Sequence, residues 1–420
     1  MSYVSPGVYV EEVPPLSRPI AGVGTSTPGF IGCLADDIYL PVRPSKPGEN
    51  CLWAFHKVEA KENVPYLITS WPAYVQLFGD FIASAKSSTA VESSDPKTTD
   101  DARKAEYLKS SNYQPYLAHA VYGFFNNGGS RCYVVRVKPA STIDIDKAIT
   151  ALAALDEIST VVAPGLNKNA ALKDYAQLYK RFAILDFVKD TKADGAKALI
   201  SSLHNPNSAI YHPWLQVSDP AMTLVDPLTP ENSLIYVPPG GHVAGVYARS
   251  DAERGVFKAP ANEALLGIAG IQESITSNVQ GDLNTAGVNV IRLMNGAYRI
   301  WGARTVGGDA NGEFRYISTR RYMNYLRQSI DAGTQFVVFE PHTPALWQRV
   351  IRTLTDFLTN EWRSGALFGE TAKQAFYVKC DADVNPPSQR ELGQLVTEIG
   401  VAIVKPAEFV IFRIHQSSGG

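Results

Sequence analysis

The stretch that decides the fold runs IDKAITALAALDEI (145–158), TVVAPG (160–165), LKDYAQLYKR (172–181), FAILDFV (182–188). The first and third segments carry apolar residues at helical spacing. The second and fourth are short, nearly continuous apolar runs, the pattern of strands covered on both faces. Strands alternating with helices of this length build βαβ units and a mostly parallel sheet. The alternation extends both ways. Upstream, YLAHAVYGFFNNGG (116–129) reads as a helix ending on Asn and Gly, followed by the strand CYVVRV (132–137). Downstream come a helix at ADGAKALISSLH (193–204) and a strand at AIYHPWLQV (209–217). GVGTSTPGFIGCL (22–34) is a glycine-rich strand region. In TSWPAYVQLFG (69–79) a Ser or Thr cap, Pro72 in the first turn and Gly79 as a stop mark another helix. Residues 41–63 read as a loop or small insertion, and the polar stretch 84–112 as an exposed insertion.

The last third changes character. RYISTRRYMNYLRQSI (315–330) contains a helix with Tyr322, Leu326 and Ile330 four apart, and FVVFE (336–340) reads as a strand. In 344–362 Leu346, Val350, Leu354 and Leu358 also repeat by four, with Trp347, Ile351, Phe357 and Trp362 widening the stripe and Gly365 placed to stop it. AFYVKCD (375–381) reads as a strand and SQRELGQLVTEIG (388–400) as a helix. In AEFVIFRIHQ (407–416), Val410, Phe412 and Ile414 share one face and Phe409 and Ile411 the other, so this strand belongs inside a sheet. At the other end Val8, Tyr9 and Val10 form a short β-prone run between Pro6 and Pro14-Pro15. Those prolines confine it to an edge or added strand, and a strand this short is not stable alone. Both termini therefore end in orphan β-segments, for which strand addition to a neighbour is a known solution.

Composition narrows the function. The 420 residues allow two or three domains, and 45% hydrophobic content is enough for real cores. The net charge of −2 gives no electrostatic case for nucleic acid or an anionic membrane. Cys33, Cys51, Cys132 and Cys380 contain no C-x-x-C pair, and suit a reducing cytoplasm. MSYVSPGVYVEEVPP has neither a basic nor an apolar leader region, so a secretory signal is not expected. No apolar run approaches the ~20 residues of a membrane span.

Gly240-Gly241-His242-Val243-Ala244-Gly245 is similar to the histidine motif of subtilisin-like proteases, and Gly24-Thr25-Ser26 to their serine motif. The order is wrong, because a subtilisin triad runs Asp, His, Ser along the chain and Ser26 precedes His242. The plainer reading places His242 in a loop leading into a helix and Ser26 in a polar turn. Glu340 and His342 close an expected strand, where α/β sheets often bind ligands, although a lone pair beside Pro341 is more often structural. Asp381 and Asp383 supply too few oxygens for calcium. No G-x-x-x-x-G-K-[ST] occurs, so no nucleotide is expected to be consumed. Arg320, Arg321 and Arg327 lie near or on one helix, either as a solvated face or as a contact for an acidic partner surface.

Several segments, in order, resemble the contractile phage tail sheath family: SPGVYVEEV (5–13), TPGFIG (27–32), NNGGSRCYVVRV (126–137), VPPGGHVAGVYARSDAERGVFKAPAN (237–262), NVIRLMNGAYRIWGART (289–305), YISTRRYMNYLRQSI (316–330), FVVFEPHTPALWQRV, AFYVKCD and PAEFVIFRI. The resemblance implies an α/β protein with mixed, largely parallel sheets in two domains and extended N- and C-terminal β-arms exchanged between subunits. It divides the chain into an N-terminal arm (1–20), an outer, subtilisin-like domain (21–299, variable at 35–63 and 84–112, with 21–34 open between the two domains), a tube-facing domain (300–406) and a C-terminal arm (407–420). It implies a structural subunit, not an enzyme, that stacks as hexameric rings around an inner tube in a metastable state and contracts. The partners implied are other copies of the chain, the tube protein, and baseplate and tail-terminator proteins, with no cofactor, no nucleic acid and no membrane insertion. Val8, Tyr9, Val10, Phe409, Val410, Ile411 and Phe412 become the inter-subunit arm strands, and Arg320, Arg321 and Arg327 the contacts to tube or neighbour. Synthesis in the bacterial cytoplasm and incorporation into a phage tail or released tail-like particle follow. A subtilisin-like hydrolase is the competing class. A surface-layer or adhesion protein is a third, disfavoured by the lack of a secretion signal.

Overall fold

The computed structural model describes residues 19–42, 52–82, 115–139, 143–225 and 233–411. They form two compact units. The larger comprises Gly24–Tyr325 with the segment from Lys405 onward, and the smaller Leu326–Val404 with the stretch ending at Val23.

The larger unit is built on eight strands: β1 (Pro28–Cys33), β4 (Tyr66–Ile68), β5 (Cys132–Val137), β6 (Thr160–Val162), β7 (Phe182–Asp186), β8 (Ser208–His212), β12 (Val288–Met294) and β13 (Ala297–Trp301). Their order is β13-β12-β8-β7-β6-β1-β5-β4. The six inner strands are parallel, and β4 and β13 close the two edges antiparallel. Numbers missing from this set belong to two smaller sheets: the hairpin of β2 (Asp37–Val42) and β3 (Leu52–Lys57), and β9 (Leu215–Ser218) flanked by β10 (Leu234–Val237) and β11 (Gly270–Ile271). The stretch read as a loop or insertion at 41–63 thus contributes to a hairpin, and the insertion at 84–112 lies outside the described residues.

Both faces of the main sheet are covered, which is why its strands read as unbroken apolar runs. Phe30, Val134, Val162 and Ile184 point into one core with α2 (Tyr116–Asn126) and α6 (Gly240–Arg254), and α1 (Trp71–Phe78) extends that layer. The next residues along the same strands, or in β6 the preceding one (Ile31, Val135, Val161 and Leu185), point into the other. There they meet α3 (Asp146–Ala153), α4 (Asn169–Leu178), α5 (Ala193–Leu199) and α7 (Ser277–Ala286). The segment 209–217, expected as one strand, is divided at Pro213 between β8 and β9 in different sheets, because proline cannot donate to a ladder.

α8 (Ile317–Thr334) contains the division between units. Within the smaller unit, α9 (Pro344–Arg363) buries Leu346, Val350, Leu354 and Leu358 as its fourfold spacing requires. Thr343 caps its start and Gly365, at φ +87°, follows its end. β14 (Phe376–Lys379) and β15 (Glu398–Val401) form a two-stranded antiparallel sheet. Two expectations fail here. FVVFE is not a strand but a 3-10 turn at Gln335–Val337, followed by Phe339 at φ +67°. The helix expected over 388–400 stops as α10 (Pro387–Glu391), since Gly393 at φ +70° turns the chain into β15. Leading into the unit, Ile20 packs on Gly333 and the Val23 N–H donates to the Ser329 hydroxyl (3.1 Å).

Candidate functional site

Among the described residues the C-terminal stretch returns to the larger unit without joining a sheet. Residues 407–411 form no strand within the chain, so the expected interior strand is not realised there. Phe409, Val410 and Ile411 are 71%, 68% and 79% exposed, an apolar strip left in water. Glu408 just before them is turned inward and accepts hydrogen bonds from Arg304, Asn284 and Tyr316. Phe412 and the Val8, Tyr9 and Val10 run lie outside the described residues.

The smaller unit carries a groove of about 740 Å³ whose apolar wall includes Val337, Leu346, Val350, Leu354, Leu395 and Ile399. Val338, Phe339, Phe368, Tyr377 and Leu392 are also exposed on this unit, Phe339 completely.

Two of the three arginines neither form a solvated face nor reach outward. Arg320 and Arg321 are buried. Arg321 on α8 pairs with Asp251 on α6 through both guanidinium ends (2.9 and 2.5 Å) and lies over the Tyr247 ring at 4.6 Å. Arg320 bonds Asn324 one turn along and lies over Phe314 at 4.4 Å. Arg327 is the exposed member.

The reactive-looking motifs resolve into packing. Gly241 and Gly245 let α6 approach α2 backbone to backbone: a Cβ on Gly241 would lie 2.4 Å from the Ala120 Cα, and one on Gly245 2.5 Å from the Phe124 carbonyl oxygen. His242 is not in a loop before this helix but in its first turn, with its ring against Gly123 and its Nδ1 unbonded. An enclosed imidazole cannot act on a substrate, and Ser26 lies in irregular chain before β1. Glu340 pairs with Arg349 (3.2 Å), and His342 packs edge-on against Trp347 (5.6 Å). Asp381 folds back on the Asp383 N–H (3.0 Å), an Asx turn. Among the described residues no His, Cys, Asp or Glu group is disposed to hold a metal, and no helix is long and apolar enough to cross a membrane.

The core histidines make stability sensitive to acid. Burial lowers His119 from its ordinary 6.5 to about 3, with His242 adding repulsion, and lowers His242 to about 4. Between pH 6.5 and 4 the unfolded chain protonates both rings and the folded chain does not, so each removes stability at up to about 1.4 kcal/mol per pH unit as pH falls. Asp186 at the end of β7 acts oppositely. Burial raises its carboxyl to about 7 against the bond from the Gly240 N–H, so its contribution is present in acid and lost as pH rises through 7. Two rings against one carboxyl leave a net loss of about 1.4 kcal/mol per unit on acidification. Melting curves from pH 7 to 4.5 should show Tm falling, and in a His119→Gln/His242→Gln chain the slope should shift toward a Tm that rises in acid, because Asp186 then acts without those rings against it. A wild-type Tm that rises in acid contradicts the assignment.

The larger unit is a doubly covered α/β body with residues 409–411 left in water, and the smaller unit carries its own exposed apolar side chains. The chain belongs to the phage tail sheath family. Residues 140–306 match the phage tail sheath protein central domain and residues 309–417 the phage tail sheath C-terminal domain. It is 27% identical to a prophage major tail sheath protein of Pseudomonas aeruginosa (strain UCBPP-PA14) over 61% of this chain. That match spans 64% of the relative, just under two thirds of its length. Among solved structures, the sheath complex of an extracellular contractile injection system, PVC, in its contracted state is 26% identical with a TM-score of 0.72, covering 99% of each chain. The contracted helical sheath of the anti-feeding prophage is also 26% identical, with a TM-score of 0.70, covering 99% of this chain and 100% of that one. The chain is a structural subunit of a contractile sheath of the phage tail-like type, and not an enzyme.

Proposed function

We propose that copies of this chain stack as hexameric rings around an inner tube, hold a metastable extended state, and contract to drive the tube through a target envelope. Neighbours are joined by exchanged terminal arms, Val8, Tyr9 and Val10 at one end and Phe409, Val410, Ile411 and Phe412 at the other. The observation that carries this reading is the apolar strip 409–411 left in water beside a fixed root. The receiving surface is the smaller unit, where a two-stranded sheet is marginal by itself and gains from added strands. Sixfold order is supported by the anti-feeding prophage baseplate, described as 6-fold symmetrised, with which the chain shares a TM-score of 0.68. Head-to-tail contacts that do not close give the open helix a sheath needs, and two packings separated by a barrier give contraction. Residues 300–406 face the tube and 21–299 face outward. Arg327 is the arginine left to meet a partner. Baseplate and tail-terminator proteins bound the stack, within a phage tail or a released particle.

Chains lacking residues 1–15 or 407–420 are expected to stay soluble and fail to form long sheaths. Negative-stain electron microscopy with and without the tube protein checks this, and full-length cylinders from either truncation would sink arm exchange.

A further inference from the structure

Glu408 sits between exposed Ala407 and exposed Phe409, yet its own carboxylate is turned inward. Arg304 Nε donates to Oε1 and Nη2 to Oε2, both at 2.9 Å, a bidentate fork. Asn284 Nδ2 adds a bond to Oε1 (2.6 Å) and the Tyr316 hydroxyl one to Oε2 (3.0 Å). The donors come from separate places in the larger unit: Asn284 on α7, Arg304 after β13, and Tyr316 just before α8. Arg304 is itself fixed. Its side chain is 5% exposed and also donates to Asp309 (3.0 Å), while its main chain exchanges two bonds of 2.8 Å with the Asn289 amide.

This arrangement inverts what a stability anchor requires. A terminus tied down for stability buries its apolar side chains and leaves its charge in water. Here the charge is turned in and Phe409, Val410 and Ile411 are turned out. Burial alone pushes the Glu408 carboxyl up, but the bonds from Arg304, Asn284 and Tyr316 win and lower it, so the clamp is charged at neutral pH.

We infer that Arg304, Asn284 and Tyr316 clamp Glu408 as an assembly-positioning device, which fixes where the apolar strip leaves the subunit and presents it to a second copy of this chain. The inference rests on the arm reading above and adds the residues that make the arm effective. A rooted arm loses less freedom on docking than a loose one, and its effective concentration at the neighbour is higher.

The test compares full-length variants for melting temperature, limited proteolysis and sheath length in electron micrographs. Glu408→Ala should leave Tm of the body nearly unchanged, speed proteolytic cleavage across 405–411 by about tenfold, and cut the yield of long sheaths by about tenfold. Arg304→Lys keeps the charge but not the fork and should fall between. Glu408→Gln keeps the shape and should recover part of the assembly. Wild-type sheath length in Glu408→Ala overturns the clamp, as does a loss of assembly that merely tracks a lower Tm. Phe409→Ser/Ile411→Ser separates the two ideas. If that variant assembles normally, the arm reading fails. If it fails to assemble while Glu408→Ala assembles normally, the arm stands and only the clamp falls.

Discussion

Asp251→Ala is expected to destabilise the larger unit by about 3–5 kcal/mol, the cost of leaving one partner of a buried ion pair alone. The Arg321 and Asp251 side chains are 4% and 2% exposed. Removing the carboxylate strands a guanidinium that Tyr247 and the Thr25 carbonyl cannot neutralise. It also frees the Thr25 hydroxyl, which donates to Asp251 at 2.7 Å. The double change Asp251→Leu/Arg321→Met should recover most of the loss, because replacing both charges removes the desolvation penalty along with the attraction. Urea denaturation of the three chains decides it. A single variant within about 1 kcal/mol of wild type would mean that water reaches the pair.

Gly241→Val should be comparably severe, costing about 3 kcal/mol or more. The atom its Cβ would strike is the Ala120 Cα, which cannot rotate away as a side-chain tip could. α2 and α6 would have to separate, opening the layer that holds Phe124, Val243 and Tyr247. Gly195→Ala on α5 is the control. Nothing lies within 4 Å of a Cβ there, and alanine is the better helix former. Thermal melts should show a large drop for the first and no loss for the second. An unchanged Tm for Gly241→Val would refute backbone-to-backbone packing of the two helices.

Legibility in the sequence follows the range of the forces involved. The central strands and α9 could be read because each is specified by its own neighbours: Phe30 and Ile31, or Ile184 and Leu185, are apolar in succession since each face meets a different core. FVVFE misleads because its β-branched and aromatic content reads as a strand, whereas Phe339 bends the chain in a left-handed conformation and stays fully exposed. In 388–400 the signal was present but outweighed: Gly393 and the cluster Val396, Thr397 and Ile399 mark a turn and a strand inside what looked like one helix. Arg321 looked like surface charge because its partner is 70 positions away. Glu408 passed as one residue of an apolar string. Its meaning depends on Arg304, 104 positions earlier, and a single sequence does not pair the two. A carboxylate opening the run Phe409-Val410-Ile411-Phe412 was the available hint.

The clamp also sets a path for mechanical load. Tension applied beyond Ile411 reaches Glu408 first and crosses to Arg304 through the guanidinium fork. Because the Arg304 main chain is laced to Asn289, the pull then enters β12. That strand is hydrogen-bonded to β8 on one side and β13 on the other. The force is therefore delivered to an interior member of the main sheet rather than to a surface loop that could yield alone, and a tug on the tail is resisted by the core of the subunit.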